Sequence, residues 1–214
     1  MRVVLFLRYY FYICIFVLSL ILFVYQPKLV LADTQTQSPF DSLGSQLEIL
    51  FNNYQNAMEQ NPIGLLTWEQ ANEIFPRHAE IEVIDVETGS RFTIQRIYGS
   101  LHADAVPSTT IDTQTLQSIV DGKYSWDRRA ILIQLDGRYY AASMNSTPHG
   151  NGIEGNEYPG HFCIHFIDSK THGGQAVCPQ HQQQIQKAYE QGGQWLSFEE
   201  KWDILMISEG DVPS

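Results

Sequence analysis

Basic residues and cysteines are both scarce in this chain. The first scarcity argues against a class of ligand, and the second against a class of fold. The 214 residues hold 13 Lys and Arg against 24 Asp and Glu, a formal net charge of −11. Such an acidic chain is a poor partner for nucleic acid or for an anionic membrane surface, so we expect no nucleic-acid ligand. Three cysteines are too few for a multi-disulfide scaffold, but a chain of this length can bury a hydrophobic core without one.

The longest apolar run lies near the N-terminus, over residues 9–25. Arg2 and Arg8 precede it, and Val30-Leu31-Ala32 supplies the compact residues that a signal peptidase recognises. This layout predicts a secretory signal over residues 1–32. A run of this length is also compatible with an uncleaved membrane anchor, which stays open as the alternative. Either interpretation places the rest of the chain outside the cytoplasm, secreted or membrane-anchored in the cell envelope.

The remaining sequence predicts one α+β domain with a β-rich centre, a mixed sheet or a sandwich, and short helices at both ends. Residues 33–76 predict a polar linker followed by two helices, and residues 77–214 predict a catalytic-like β-rich domain with C-terminal helices. Asp136-Gly137 lies between two apolar runs and is the strongest hairpin signal. We expect an irregular segment at His102–Pro107 and a glycine-rich loop at Asn145–Gly160.

Further elements are predicted from local patterns. The predicted strands are Glu80–Val86, Arg91–Ile97, Ala130–Leu135, Arg138–Met144 and His161–Ile167, and helices are predicted from Thr67, from Thr110 or Asp112, and over Pro179–Gln191.

The segment from Gly160 to Phe166 carries the most chemical information. Because side chains alternate along a strand, its apolar and polar residues separate onto two faces: Phe162, Ile164 and Phe166 on one, His161, Cys163 and His165 on the other. A thiol thus stands between two imidazoles. A nearby imidazole can activate a thiol as a nucleophile and then protonate the leaving amine. His149-Gly150 adds a third imidazole in the preceding loop, whose glycines let backbone amides approach a substrate.

His149-Gly150, a loop, and then Gly160-His161-Phe162-Cys163-Ile164-His165-Phe166 together resemble the signature of the L,D-transpeptidases of the YkuD type. That family has His-Gly, about a dozen residues, and then Ser-His-Gly-Cys-Ile-Arg. The resemblance covers about residues 80–170, and its last part carries the motif.

The resemblance implies an enzyme that needs no metal or other cofactor and acts on peptidoglycan stem peptides. Cys163 would be the acylated nucleophile, His161 the histidine that activates it, and His149 the pocket histidine. The enzyme would cleave before the terminal D-residue and pass the acyl group to an amine or to water.

Three positions depart from the family pattern. Gly160 replaces Ser, Phe162 replaces Gly and His165 replaces Arg. With His165, the positive anchor of the family is either lost or becomes dependent on pH. The departures leave hydrolysis open beside transpeptidation.

Metal chemistry is the rival hypothesis. His102 and Asp104 have strand spacing and, with one of the later histidines, would suit a zinc-dependent cell-wall peptidase or amidase. His161, Cys163 and His165 could equally be three zinc ligands. The sequence has no His-Glu-x-x-His helix to support this hypothesis.

Non-catalytic interpretations also remain. Cys163 and Cys178 could form a disulfide, which would favour a cell-wall-binding module. His78 and His181 are interpreted as surface or hydrogen-bonded core residues, and His172, in Thr171-His172-Gly173-Gly174, as part of a turn.

Overall fold

A computed structural model describes residues 43–49, 61–201 and 203–204. Contacts divide the chain into two compact units, Met1–Glu48 and Ile49–Ser214. Residues 43–49 are helical and exposed. The predicted signal or anchor over residues 1–32 lies outside the described residues. Among the helices of the described ranges, none has both the length and the apolar character needed to cross a membrane.

The described part of the second unit contains seven strands, three α-helices and a further helical stretch at residues 198–201 and 203–204. The strands are β1 Ile63–Gly64, β2 Glu80–Asp85, β3 Arg91–Tyr98, β4 Ala103–Pro107, β5 Arg129–Leu135, β6 Arg138–Met144 and β7 Phe162–His165. The α-helices are α1 Trp68–Ile74, α2 Thr110–Ile119 and α3 Pro179–Gln191, and a 3-10 helix follows at Gly192–Trp195.

Strands β2 to β7 close into a six-stranded antiparallel barrel. The order is β6-β5-β2-β3-β4-β7, and β7 pairs with β6 as well as with β4, which joins the two ends. The short β1 adds to β6 in parallel. The predicted α+β class with a β-rich centre and helices at both ends is confirmed. The sheet is neither open nor a sandwich, because the β6–β7 pairing leaves no free edge between those strands.

Alternate residues of all six barrel strands face one common interior. This interior cluster is closed by Phe75, at the end of α1, and by Leu116 of α2, and its strand members include Val83, Phe92, Ile94, Ala105, Ile131, Ile133, Ala142, Phe162 and Ile164. The outer faces of β5 and β6 form a second cluster with α3, through residues such as Leu132, Ala141 and Ile185. Strand β5 is therefore buried on both faces, as its nearly continuous apolar sequence requires.

The prediction of an irregular segment at His102–Pro107 is wrong. Ala103–Pro107 forms β4, is buried throughout, and pairs with β3 and β7. Its small and polar residues have weak intrinsic strand preference, and pairing with two neighbours overrides that preference. The alanines at 103 and 105 face the interior, so Asp104 must face the other way.

Candidate active site

The pairing of β4 with β7 brings a thiol and a carboxylate together. Asp104 and Cys163 are directly opposed in this antiparallel pair, so their side chains leave the barrel wall side by side. Phe162 and Ile164 point into the core, as the alternation predicts. Asp104 and Cys163 are each about 5% exposed, which leaves both groups near the surface but shielded from bulk water.

His149 is the hydrogen-bonding partner of Cys163. A two-way backbone bridge joins His149 to His161, with N–O distances of 3.0 and 2.9 Å, and holds the loop beside β7. The His149 Nε2 atom lies 3.3 Å from the Cys163 Sγ atom, and its Nδ1 lies 2.9 Å from the Thr147 carbonyl oxygen. Because a carbonyl only accepts, Nδ1 carries a proton, and Nε2 is the nitrogen that faces the thiol. The predicted activator, His161, does not hold this position.

Two glycines permit this close approach. Gly160 has φ +136°, and a Cβ there would lie 2.7 Å from the His149 carbonyl oxygen. Gly150 has φ +58°, and its Cβ would lie 2.5 Å from the His161 ring. Any larger residue at either position would push the His149 segment away from β7. The glycine at 160, where the resembled family has serine, thus fits the local backbone.

Three imidazoles surround the Asp104 carboxylate. Its Oδ1 atom lies 3.2 Å from His102 Nε2, 3.7 Å from His161 Nε2 and 3.9 Å from His172 Nε2. The opposite nitrogens of two of these rings are anchored: His102 Nδ1 donates to the Lys170 carbonyl at 2.6 Å, and His161 Nδ1 donates to that of Asn151 at 2.8 Å. Yet Asp104 Oδ1 and the Nε2 atoms of His102 and His161 are buried without an aligned hydrogen bond.

His102 and Asp104 each stabilise the charged form of the other. Burial opposes a charge on His102, but the neighbouring Asp104 and Cys163 outweigh burial and raise its pKa to about 10. Burial likewise opposes the Asp104 carboxylate, and the His102 contact outweighs it and lowers the pKa of that carboxyl group. A buried carboxylate facing imidazole nitrogens is thus stable only with a cation beside it, either an imidazolium or a metal ion.

Six of the seven histidines belong to one array of rings, with His78 the exception. His165 lies between two of them, stacked on His102 at 4.5 Å and on His181 at 3.7 Å between ring centroids. Burial, with the charges of His181 and His102, lowers the pKa of His165 to about 2. His165 is therefore neutral at physiological pH, so of the two expectations for this position the lost positive anchor agrees with the structure and the pH-dependent anchor does not. Its ring is part of the buried packing.

The same site offers a set of metal ligands. One donor atom from each of His102, Asp104, Cys163 and His172 lies within 4.8 Å of the other three. His102 and Asp104 were candidates from their spacing, whereas His172 was interpreted as a turn residue. The turn containing His172 is exposed, and nothing in its sequence indicates that it folds over β4 and β7.

The two thiols described by the structure are free, and no Cys163–Cys178 disulfide forms. Cys163 lies within β7, whereas Cys178 precedes α3, with Arg128 3.9 Å from its sulfur atom. Trp126 stands at the rim of the site, 52% exposed, with its ring 4.9 Å from that of His149.

No protein-family model matches the sequence, and comparisons with curated proteins and with solved structures give no significant match.

Proposed function

We propose that this protein is a cell-envelope cysteine enzyme that acts on peptidoglycan stem peptides by acyl transfer or hydrolysis, in the manner of the L,D-transpeptidases. The observation that carries the proposal is the contact between Cys163 Sγ and His149 Nε2 at 3.3 Å, with the ring fixed through Thr147. A thiol within reach of an oriented imidazole is the arrangement that nucleophilic catalysis by cysteine requires.

The chemistry follows from these atoms. His149 Nε2 takes the thiol proton, and the Cys163 thiolate attacks the carbonyl carbon before the terminal D-residue. A thioester forms, the amide C–N bond breaks, and the proton on His149 passes to the leaving amine. An acceptor amine, or water, then gives up a proton to His149 and attacks the thioester. Cys163 leaves as a thiolate and takes that proton back from His149, which restores both groups.

The substrate class rests on the family resemblance and on the N-terminal pattern. An exported domain, secreted or attached to the membrane through residues 9–25, would meet peptidoglycan directly. The net charge of −11 disfavours nucleic acid as a partner. Trp126 offers an exposed apolar surface beside His149 for the arm of a stem peptide.

The direct test is the mass of the protein after brief exposure to a stem tetrapeptide. We expect an adduct equal to the peptide minus its terminal D-residue, attached at Cys163 and removed by hydroxylamine. Cys163→Ala should give no adduct and no turnover while keeping its fold, because the change is small. Cys178→Ala is the matched control and should still form the adduct. Turnover by Cys163→Ala would refute the proposal.

A zinc-dependent peptidase is a second candidate, favoured by the four donor atoms within 4.8 Å of one another. In that enzyme Cys163 would be one of the residues that hold the zinc ion, and the ion would supply the Lewis acidity that activates water for hydrolysis. A chelator distinguishes the two candidates. EDTA would abolish the activity of a zinc peptidase and would not reduce the activity of a cysteine enzyme.

A further inference from the structure

We infer that His102, Asp104, Cys163 and His172 bind one zinc ion, and that this ion reversibly blocks the cysteine chemistry by taking the Cys163 thiolate as a ligand. The blocking effect rests on the proposed function, whereas zinc binding itself does not.

The geometry is close to that of a tetrahedral site. Zinc bonds to nitrogen, oxygen and sulfur are about 2.0–2.3 Å long, so the ligand atoms of a tetrahedron lie about 3.3–3.8 Å apart. Asp104 Oδ1 is already 3.2 Å from His102 Nε2 and 3.9 Å from His172 Nε2, and no pair in the cluster exceeds 4.8 Å. Small side-chain movements would therefore complete the site.

The buried members of the cluster have unsatisfied polar atoms. His102 is 0% exposed and Asp104 5%, yet His102 Nε2 and Asp104 Oδ1 have no aligned hydrogen-bond partner. Buried polar atoms normally find partners, because an unpaired buried polar atom destabilises the folded state. A cation between them would satisfy both atoms at once.

The surroundings of His102 match those of a metal ligand. Its Nδ1–H donates to the Lys170 carbonyl at 2.6 Å, which fixes the ring orientation and directs Nε2 toward Asp104. Ligating histidines are typically held in this way by a carbonyl or a carboxylate on the far nitrogen. His161 Nε2 also has no hydrogen-bond partner and lies 3.7 Å from Asp104 Oδ1. It is a further nitrogen donor beside the cluster.

The donor types select the metal. One thiolate, two imidazoles and one carboxylate form a mixed S/N/O set that suits zinc and disfavours magnesium or calcium, which prefer oxygen. His172 is the accessible member, with a side chain 53% exposed and two glycines after it, so it can move onto an arriving ion. Zinc binding would release two protons to solvent, one from the Cys163 thiol and one from Nε2 of the His102 imidazolium, and would separate Cys163 from His149.

The test measures zinc-dependent protection of each thiol in the full-length protein. Iodoacetamide alkylation of Cys163 and Cys178 is followed by peptide mapping as ZnCl₂ is added, and zinc binding is measured by competition with a colorimetric chelator. We expect one zinc per chain and slowed alkylation of Cys163, restored by EDTA, while Cys178 serves as the internal control and is unaffected. His172→Ala should weaken zinc binding by at least about 10-fold. The matched control is His78→Asn, which removes the histidine outside the array at a position with φ +68° that Asn tolerates.

The outcomes separate this inference from the proposed function. Stoichiometric zinc binding that disappears in His172→Ala, without any acyl adduct on the free protein, would support the metal site and end the enzyme proposal. An adduct that forms equally with and without zinc would overturn the blocking role. Zinc binding unchanged in His172→Ala, or equal protection of both thiols, would overturn the site itself.

Discussion

At the residue scale, two histidines that the sequence presents as similar have different surroundings. His149 Nε2 meets the Cys163 sulfur at 3.3 Å, whereas His161 Nε2 faces Asp104 at 3.7 Å. Strand alternation could place His161 beside Cys163 along the chain. It could not reveal that the backbone of His149 pairs with that of His161. This pairing places the His149 side chain next to Cys163. The candidate residues were predictable, but their division of roles was not.

His181 illustrates how burial sets the acid response of this molecule. It is 2% exposed, its Nδ1 lies 2.8 Å from the Ser143 hydroxyl, and burial, with Arg128 nearby, lowers its pKa to about 3. The unfolded chain, with a histidine pKa near about 6.5, binds this proton more readily than the folded one. The contribution of His181 to the free energy of unfolding is therefore fully present above about pH 6.5. It falls as the pH drops toward 3, by up to about 1.4 kcal/mol per pH unit.

His181→Asn keeps a polar atom for Ser143 and removes the titration. We predict that its free energy of unfolding, measured by urea denaturation from pH 7 to pH 4, falls less steeply with acid than that of the natural chain. The comparison is between slopes, so a uniform loss of stability does not affect it. Identical slopes would show that His181 is not a buried neutral histidine.

At the element scale, helix α2 depends on one carboxylate. Asp112 accepts a hydrogen bond from the Thr109 backbone N–H at 3.0 Å, within a capping box, and another from the Thr93 N–H of β3 at 2.7 Å. Sequence predicted a helix with its N-cap at Thr110 or Asp112. The N-cap is Thr109, and Asp112 also ties the helix to the barrel, a contact that requires the tertiary fold.

Asp112→Ala should lower the free energy of unfolding by about 2–3 kcal/mol, because it removes the capping contact and leaves a strand N–H without its acceptor. Asp112→Asn, which retains one acceptor oxygen, should cost less. Glu73→Ala, at an exposed acidic residue of α1, is the control and should change stability by less than about 0.5 kcal/mol. An effect of Asp112→Ala no larger than this control would contradict the assigned contacts.

Other elements were predictable because their signals are local. Asp136 and Gly137 both adopt positive φ in the β5–β6 turn, and Pro179–Gln191 begins and ends where its sequence predicts. Strand β4 was missed because its stability comes from its neighbours. The same strand carries Asp104, so the carboxylate of the site could be suspected from its spacing with His102 but not placed beside Cys163.

At the scale of the whole molecule, barrel closure builds the site. Strand β7 pairs with β4 on one side and with β6 on the other, so Cys163 faces Asp104 while His165 lies opposite Ser143. An open sheet or a sandwich would not require these two pairings together. Closure depends on contacts between strands distant in sequence, which hydrophobic alternation alone does not specify. This is why fold class was predictable while the barrel, and the convergence of six histidines, was not.

The central claim is that His149 activates Cys163. The most direct measurement is the rate of Cys163 alkylation by iodoacetamide at neutral pH in the natural chain, in His149→Gln and in His161→Gln. Without His149, the Cys163 thiol loses the base positioned to take its proton, so it reacts more slowly as a nucleophile. We predict that His149→Gln slows alkylation by at least about 10-fold and that His161→Gln has a smaller effect. A larger loss in His161→Gln, or no loss in His149→Gln, would contradict the account.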